Sequence, residues 1–170
     1  VDQVDKVQTL SNAVVAVMKA VNGVITGPTA LTQAHLNALG IVGVIEVDAS
    51  PWLEDNLWVL ETIQPEPLMV GTVGNLQPDK PEFGEYLDRY ARNPLFRGIR
   101  CGNIWGRNLV AQVEMPAFVA GIKEVAAAGL TMDTANPRPD LIRAIVRLTD
   151  QVPGLRVVID HLPEIGRAHV

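Results

Sequence analysis

The sequence predicts an α/β chain, part of a (β/α)8 barrel with about five parallel strands and flanking helices. Two observations carry this. Apolar runs of strand length recur at 41–47, 68–76, 96–101, 130–133 and 156–161, with their starts 26 to 34 residues apart. The stretches between them have helical periodicity, so each unit reads strand then helix. Continuous Val/Ile runs such as GIVGVIEV and LRVVIDHL suit parallel strands buried on both faces. A complete barrel of this kind takes roughly 250 residues, so 170 residues make about two-thirds of one. The competing architecture is an open doubly wound sheet. Such a sheet usually places a Gly-rich phosphate loop after its first strand, and no strand end here carries G-x-G-x-x-G or a Walker pattern.

The elements follow in order. Residues 1–28 form an unmatched helical lead-in, and His35 falls in a helical pattern over 31–39. After the 41–47 strand, Ser50-Pro51 is expected to cap a helix carrying Trp52, Leu53, Leu57, Val59 and Leu60, which Pro65 and Pro67 stop. After 68–76, the turn Pro78-Asp79-Lys80-Pro81 leads into a helix with Phe83, Tyr86, Leu87 and Tyr90 on one stripe. After 96–101, an alanine-rich helix over 115–128 ends on Gly129, a natural left-handed terminator. After 130–133, Arg138-Pro139-Asp140 opens a helix with Leu141, Ile145 and Leu148 inward, closed by Pro153-Gly154 before the 156–161 strand.

Composition removes several function classes. A net charge of −5 without a densely basic window argues against nucleic acid as a partner. The most apolar early stretch, 13–25, is interrupted by Lys19, Asn22 and Gly23, and is too short and too polar for a membrane span or a signal peptide. A single Cys101 excludes a disulfide framework or a Cys-based zinc finger. The expectation is a cytoplasmic chain acting on a small molecule, with a homo-oligomer allowed.

In a parallel α/β barrel the active site forms at the C-terminal strand ends. Those ends hold Glu46 with Asp48, Asn75, Arg100 with Cys101, Asp133, and Asp160 with His161. His161 has the residue type of a metal ligand or proton carrier, or of a hydrogen-bonded structural histidine. Arg100 suits bidentate capture of a carboxylate, or a salt bridge to Glu46 or Asp133. Asp160, one residue from His161, is expected on the opposite face of its strand, behind the barrel wall. Cys101 reads as a small buried residue, and Trp52, Trp58 and Trp105 as core or loop anchors.

Three stretches resemble the amidohydrolase-related branch of metal-dependent hydrolase barrels, which includes sugar-acid lactonases and the pyrone-dicarboxylate lactonase. They are GIVGVIEVDASPWLEDNLWVLE, VGTVGNLQPDKPEFGEYLDRYARNPLFRGIR, and AAAGLTMDT followed by VPGLRVVIDHLP. The resemblance spans about 29–163 and implies a TIM barrel. It implies His161, in the D-H-L motif, as the middle-strand histidine and metal ligand. Arg100, in the R-G-I-R motif, matches an arginine suited to substrate carboxylates. With the strand-end positions, the candidate site is His161 and Asp133 as catalytic groups, and Arg100, Asn75 and Glu46 as substrate-binding groups.

The implied function is a metal-dependent hydrolase opening a lactone or ester of a small carboxylated substrate with activated water. A divalent metal, Zn or Mn, is implied, although some members of the branch work without one. A decarboxylase of the same superfamily is the alternative reaction.

The sequence departs from the branch in having no His-x-His pair. The terminal run 164–170 matches, almost codon by codon, the translation of a common short-read sequencing adapter. The chain is therefore expected to be a fragment truncated at both ends. By itself it is expected to be inactive, since one histidine cannot hold a catalytic metal and an open arc leaves unpaired strand edges.

Overall fold

The computed structural model describes residues 38, 40–47, 50–135 and 138–160. Five strands form one sheet: β1 (Val44–Val47), β2 (Met69–Gly74), β3 (Phe96–Gly102), β4 (Thr131–Ala135) and β5 (Arg156–Ile159). They lie in sequence order, β1-β2-β3-β4-β5, and every pairing is parallel. A doubly wound sheet reverses its strand order part-way, so consecutive order rules that alternative out. The architecture is that of a partial TIM barrel, as the sequence predicts. Each strand lies within its predicted run or extends it by one or two residues.

The connecting helices are α1 (Asp55–Ile63), α2 (Phe83–Ala91), α3 (Leu109–Gln112), α4 (Pro116–Ala127) and α5 (Pro139–Gln151). Helix α5 shows most simply why these segments fold. Pro139 occupies its first turn, where a missing N–H costs nothing. Leu141, Ala144, Ile145 and Leu148 fall on one stripe and are buried. Each large side chain so covered stabilises by roughly 1.5–3 kcal/mol. Helix α4 also starts on proline, and Gly129 follows its end with φ of 70°.

Helix α1 differs from expectation at its start. It begins at Asp55, and Ser50 is no N-cap: its hydroxyl instead bonds the Asp55 carboxylate from outside the helix. Its buried residues are Asn56, Leu60 and Ile63, whereas Leu57 and Trp58 are exposed. The short α3 is absent from the sequence reading because one turn leaves no periodicity to detect. The Asn108 side chain accepts from the Ala111 N–H at 3.2 Å and the Asn103 side chain from the Leu109 N–H at 2.9 Å.

The main core lies between sheet and helices. Ile99, Cys101 and Met132 pack there with Phe83, Leu87, Phe118, Ile122, Leu141 and Leu148. Side chains alternate across a strand, so the residues between these face the other way. That alternation selects Arg100 and Asp133, which are register partners on β3 and β4. Burial fades at β5, whose strand residues are mostly exposed. Among the described residues β1 and β5 are the two sheet edges, and an edge strand has one neighbour to cover it.

Candidate active site

Four of the five candidate residues lie in the described part: Glu46 near the end of β1, Asn75 after β2, Arg100 in the second half of β3, and Asp133 at the middle of β4, which runs two residues further than the sequence predicts. His161, like His35, Asp48 and the 164–170 tail, lies outside the described residues.

Glu46, Arg100 and Asp133 form one electrostatic group. Glu46 is 2% exposed and Asp133 4% exposed, unusually deep for carboxylates. Glu46 pairs in register with Thr72 and accepts its hydroxyl hydrogen bond. Asp133 accepts from the Thr131 hydroxyl at 3.0 Å, two residues back on the same strand face. Arg100 donates from Nη2 to Asp160 Oδ2 at 3.0 Å.

That last contact corrects the sequence reading of Asp160. The Asp160 side chain points to the Arg100 face and is an ion-pair partner of Arg100, which the sequence reading expected to be Glu46 or Asp133. The Asp160 N–H bonds the Thr134 carbonyl at 3.0 Å, so the ladder to β4 continues one residue past β5. Side-chain alternation along that ladder puts Asp160 level with the site.

These acids titrate unusually. Burial pushes Glu46 above the ordinary carboxylate range, against the opposing pull of the Thr72 hydrogen bond and the Arg100 charge. Asp133 is raised to about 6, mainly by burial and further by the Asp160 charge, against the Thr131 hydrogen bond and Arg100. A carboxyl group that exchanges its proton near neutrality is suited to general acid–base work.

Asn75 sits in a different network. It is fully buried; its Nδ2 donates to the Ser50 carbonyl at 3.0 Å and its Oδ1 accepts from Arg107 Nη2 at 2.7 Å. Its backbone N–H donates to Asn56 Oδ1 and its carbonyl accepts from Asn56 Nδ2, both at 2.9 Å. This reciprocal pair explains the buried asparagine in α1. It also explains Gly74, where a Cβ would collide with Asn56 Oδ1 and the Phe96 ring. Arg107 in turn lies over the Trp105 ring, 5.0 Å from its centroid.

A family model described as amidohydrolase matches residues 12–168. The chain belongs to the amidohydrolase family. Solved structures agree on the fold. One similar structure is a zinc-bound amidohydrolase from Burkholderia multivorans, with a TM-score of 0.65 at 19% identity over 74% of this chain and 44% of that chain. A HEPES-bound amidohydrolase from the same organism matches with a TM-score of 0.56 at 18% identity over 73% of this chain and 55% of that one. A probable 2-pyrone-4,6-dicarboxylic acid hydrolase from Acinetobacter baumannii, with citric acid bound, matches with a TM-score of 0.54 at 23% identity over 75% and 45%. The chain thus spans about half the length of these structures. No curated protein matches it.

Among the described residues of this amidohydrolase chain, no three His, Cys, Asp or Glu side chains group closely enough to hold a metal ion. Arg100 bonds one of the site's acids and lowers the pKa of the other two, a cation where a metal would need converging oxygens. The described donors therefore do not fit a metal. Cys101 is buried, and burial pushes its thiol up to about 12, which fits the inert reading. The tryptophans expected as core or loop anchors are all exposed, Trp52 at 68%, Trp58 at 45% and Trp105 at 39%. No helix among the described residues is long and apolar enough to cross a membrane.

Thr72, Thr131, Asn56 and Arg107 were not singled out in the sequence. Thr131 was detectable, because residues two apart on a strand share a face. Thr72 was not, because its place beside Glu46 depends on a β1–β2 register that slips at Val44/Ile45.

Proposed function

We propose that this amidohydrolase chain supplies part of the active site of a hydrolase that opens a lactone or ester of a small carboxylated substrate. The observation that carries the reading is Arg100 with the buried acids Glu46 and Asp133, where burial raises Asp133 to about 6. Asp133 accepts a proton from the attacking water and returns it to the departing alkoxide oxygen. Thr131, bonded to Asp133 Oδ1, orients that carboxylate. Arg100 holds the substrate carboxylate, exchanging Asp160 for it; a guanidinium's planar fork matches either partner. Glu46, held by Thr72, completes the binding wall.

His161 is proposed as the second catalytic group and, in the whole protein, as this chain's ligand to a divalent metal, Zn or Mn. That part rests on the resemblance of its D-H-L motif, supported by the zinc in one similar structure.

The test is turnover of a panel of carboxylated lactones by the whole protein containing this chain, followed by pH titration and carbon dioxide detection. Asp133→Asn is expected to lower kcat by about 100-fold or more, the usual scale of general acid–base assistance. Arg100→Ala is expected to raise KM far more than it lowers kcat. Carbon dioxide release without lactone opening would replace this reading with decarboxylation.

A further inference from the structure

Two acids of the site are built alike. Glu46 on β1 accepts the hydroxyl bond of Thr72, and Asp133 on β4 accepts that of Thr131. The reaction above uses only Asp133 as a proton carrier. Glu46 is 2% exposed, and among the described residues it forms no ion pair. Arg100, whose Nη2 is bonded to Asp160, acts on Glu46 by charge alone.

We propose that Glu46 stands as a neutral carboxyl and donates a hydrogen bond to the carbonyl oxygen of the substrate, where negative charge grows during attack. Thr72 is the positioning residue that fixes this carboxyl. The inference rests on the hydrolase reading above for the identity of the acceptor.

Three observations support it. First, a carboxylate taken out of water with no ion pair costs more than the proton that neutralises it at pH 7. Burial accordingly pushes Glu46 above the ordinary carboxylate range, against both the Thr72 hydroxyl on β2 and the Arg100 charge on β3. A carboxylic acid kept neutral in this way has an O–H to donate.

Second, the two carboxyl oxygens differ. The Thr72 hydroxyl has no other acceptor among the described residues, so it donates to Oε2 and leaves Oε1 to carry the carboxyl proton. Oε1 takes no bond from a described residue, and it is not fully enclosed. The small exposed part of Glu46 thus includes the oxygen that bears the proton.

Third, Glu46 and Thr72 are register partners in the β1–β2 pairing, so both ends of their bond are fixed by the sheet. A donor held on rigid strands needs no rearrangement as charge develops on its acceptor. Asp133 stands three strands along the sheet, so donor and base act from different strands. Glu46 shares its proton without giving it up, and Asp133 keeps both proton transfers.

The test uses the whole protein containing this chain. Glu46→Leu is expected to lower kcat by about 100-fold or more, the scale of one lost oxyanion donor, with KM within about threefold. Glu46→Gln keeps an N–H donor of similar shape and should retain kcat within about tenfold. In the unaltered protein kcat should fall as pH rises through the ionisation of Glu46, and Glu46→Gln should lack that alkaline limb. The Thr72 hydroxyl favours the charged carboxylate. Thr72→Val should therefore move the limb to higher pH and lower kcat several-fold, and Thr72→Ser should restore both. A merely structural Thr72 would lower Tm and leave the limb in place, which would overturn its positioning role.

Protonation is read without substrate. Infrared spectra at pH 7, taken as the difference between the unaltered protein and Glu46→Gln, should show the carbonyl band of a protonated carboxylic acid. Absence of that band overturns the inference whatever the turnover. A raised KM with unchanged kcat in Glu46→Leu also overturns it, because the bond would then serve ground-state binding. Should Glu46→Leu not fold, an alkaline limb that persists in Glu46→Gln decides against Glu46. The band present with no lactone turned over sinks the hydrolase reading and leaves the neutral Glu46 standing.

Discussion

Arg100 on β3 bonds Asp160 beyond the end of β5 at 3.0 Å, reaching past the intervening strand β4. Between them on β4 stands Asp133, the register partner of Arg100. One guanidinium thus balances acids contributed by two other strands, and Glu46 on β1 also feels its charge. Charge is distributed across the site by strand order.

Removing that cation is expected to destabilise the fold. Arg100→Ala leaves Asp160 and two buried acids without their shared counter-charge. The expected cost is about 2–3 kcal/mol, below the 3–5 of a fully buried pair because the two side chains keep 17% and 13% exposure. Urea unfolding at pH 7 checks it, and Arg100→Leu with Asp160→Leu should recover much of the loss. An Arg100→Ala midpoint equal to that of the unaltered chain would refute the arrangement.

The pH dependence of stability follows from Asp133. Its folded pKa of about 6 lies above the ordinary value of 3.8. The native state therefore binds more protons than the unfolded chain between these values, and stability falls as pH rises through that window. Glu46, also raised, acts in the same direction. Asp133→Asn should flatten the profile between about pH 4 and 6 by an amount on the order of 2 kcal/mol. Urea midpoints across that range measure it. An unchanged slope in Asp133→Asn would place the titrating group elsewhere.

Two glycines should respond to alanine for different reasons. Gly129, at φ of 70° with open space around it, should lose about 1–2 kcal/mol from backbone strain alone. Gly74 has no such backbone conformation, yet its Cβ would strike Asn56 Oδ1 and the Phe96 ring. Gly74→Ala should cost about 1–3 kcal/mol as overpacking. It should also disturb the Asn56–Asn75 pair, visible as faster hydrogen exchange of the Asn75 amide that Gly129→Ala lacks.

Cys101 should resist modification while the protein is folded. Its thiol is buried and pushed up to about 12, so the reactive thiolate is scarce at pH 8. A disulfide-exchange reagent should label it only after denaturant is added. Rapid labelling of the native chain would show that the sheet–helix core opens at β3.

Local information was enough for the strands and for singling out polar residues along them. Five apolar runs at regular spacing specify strand, helix and parallel order, because each depends on neighbours a few residues away. Glu46, Arg100 and Asp133 were recognisable as polar residues ending such runs. What the tertiary structure alone decided is which of them meet. The reach of Arg100 to Asp160 across β4, and of Thr72 to Glu46, depends on how strands slide against one another, and two register slips occur in the first two pairings. Asn56 reads as a poor residue in an apolar helix until Asn75, nineteen positions along, accepts and returns its hydrogen bonds. The raised acid at Asp133 likewise depends on burial by residues remote in sequence. Strand formation follows the periodicity of a short segment, whereas desolvation and charge pairing depend on distances that only the assembled sheet sets.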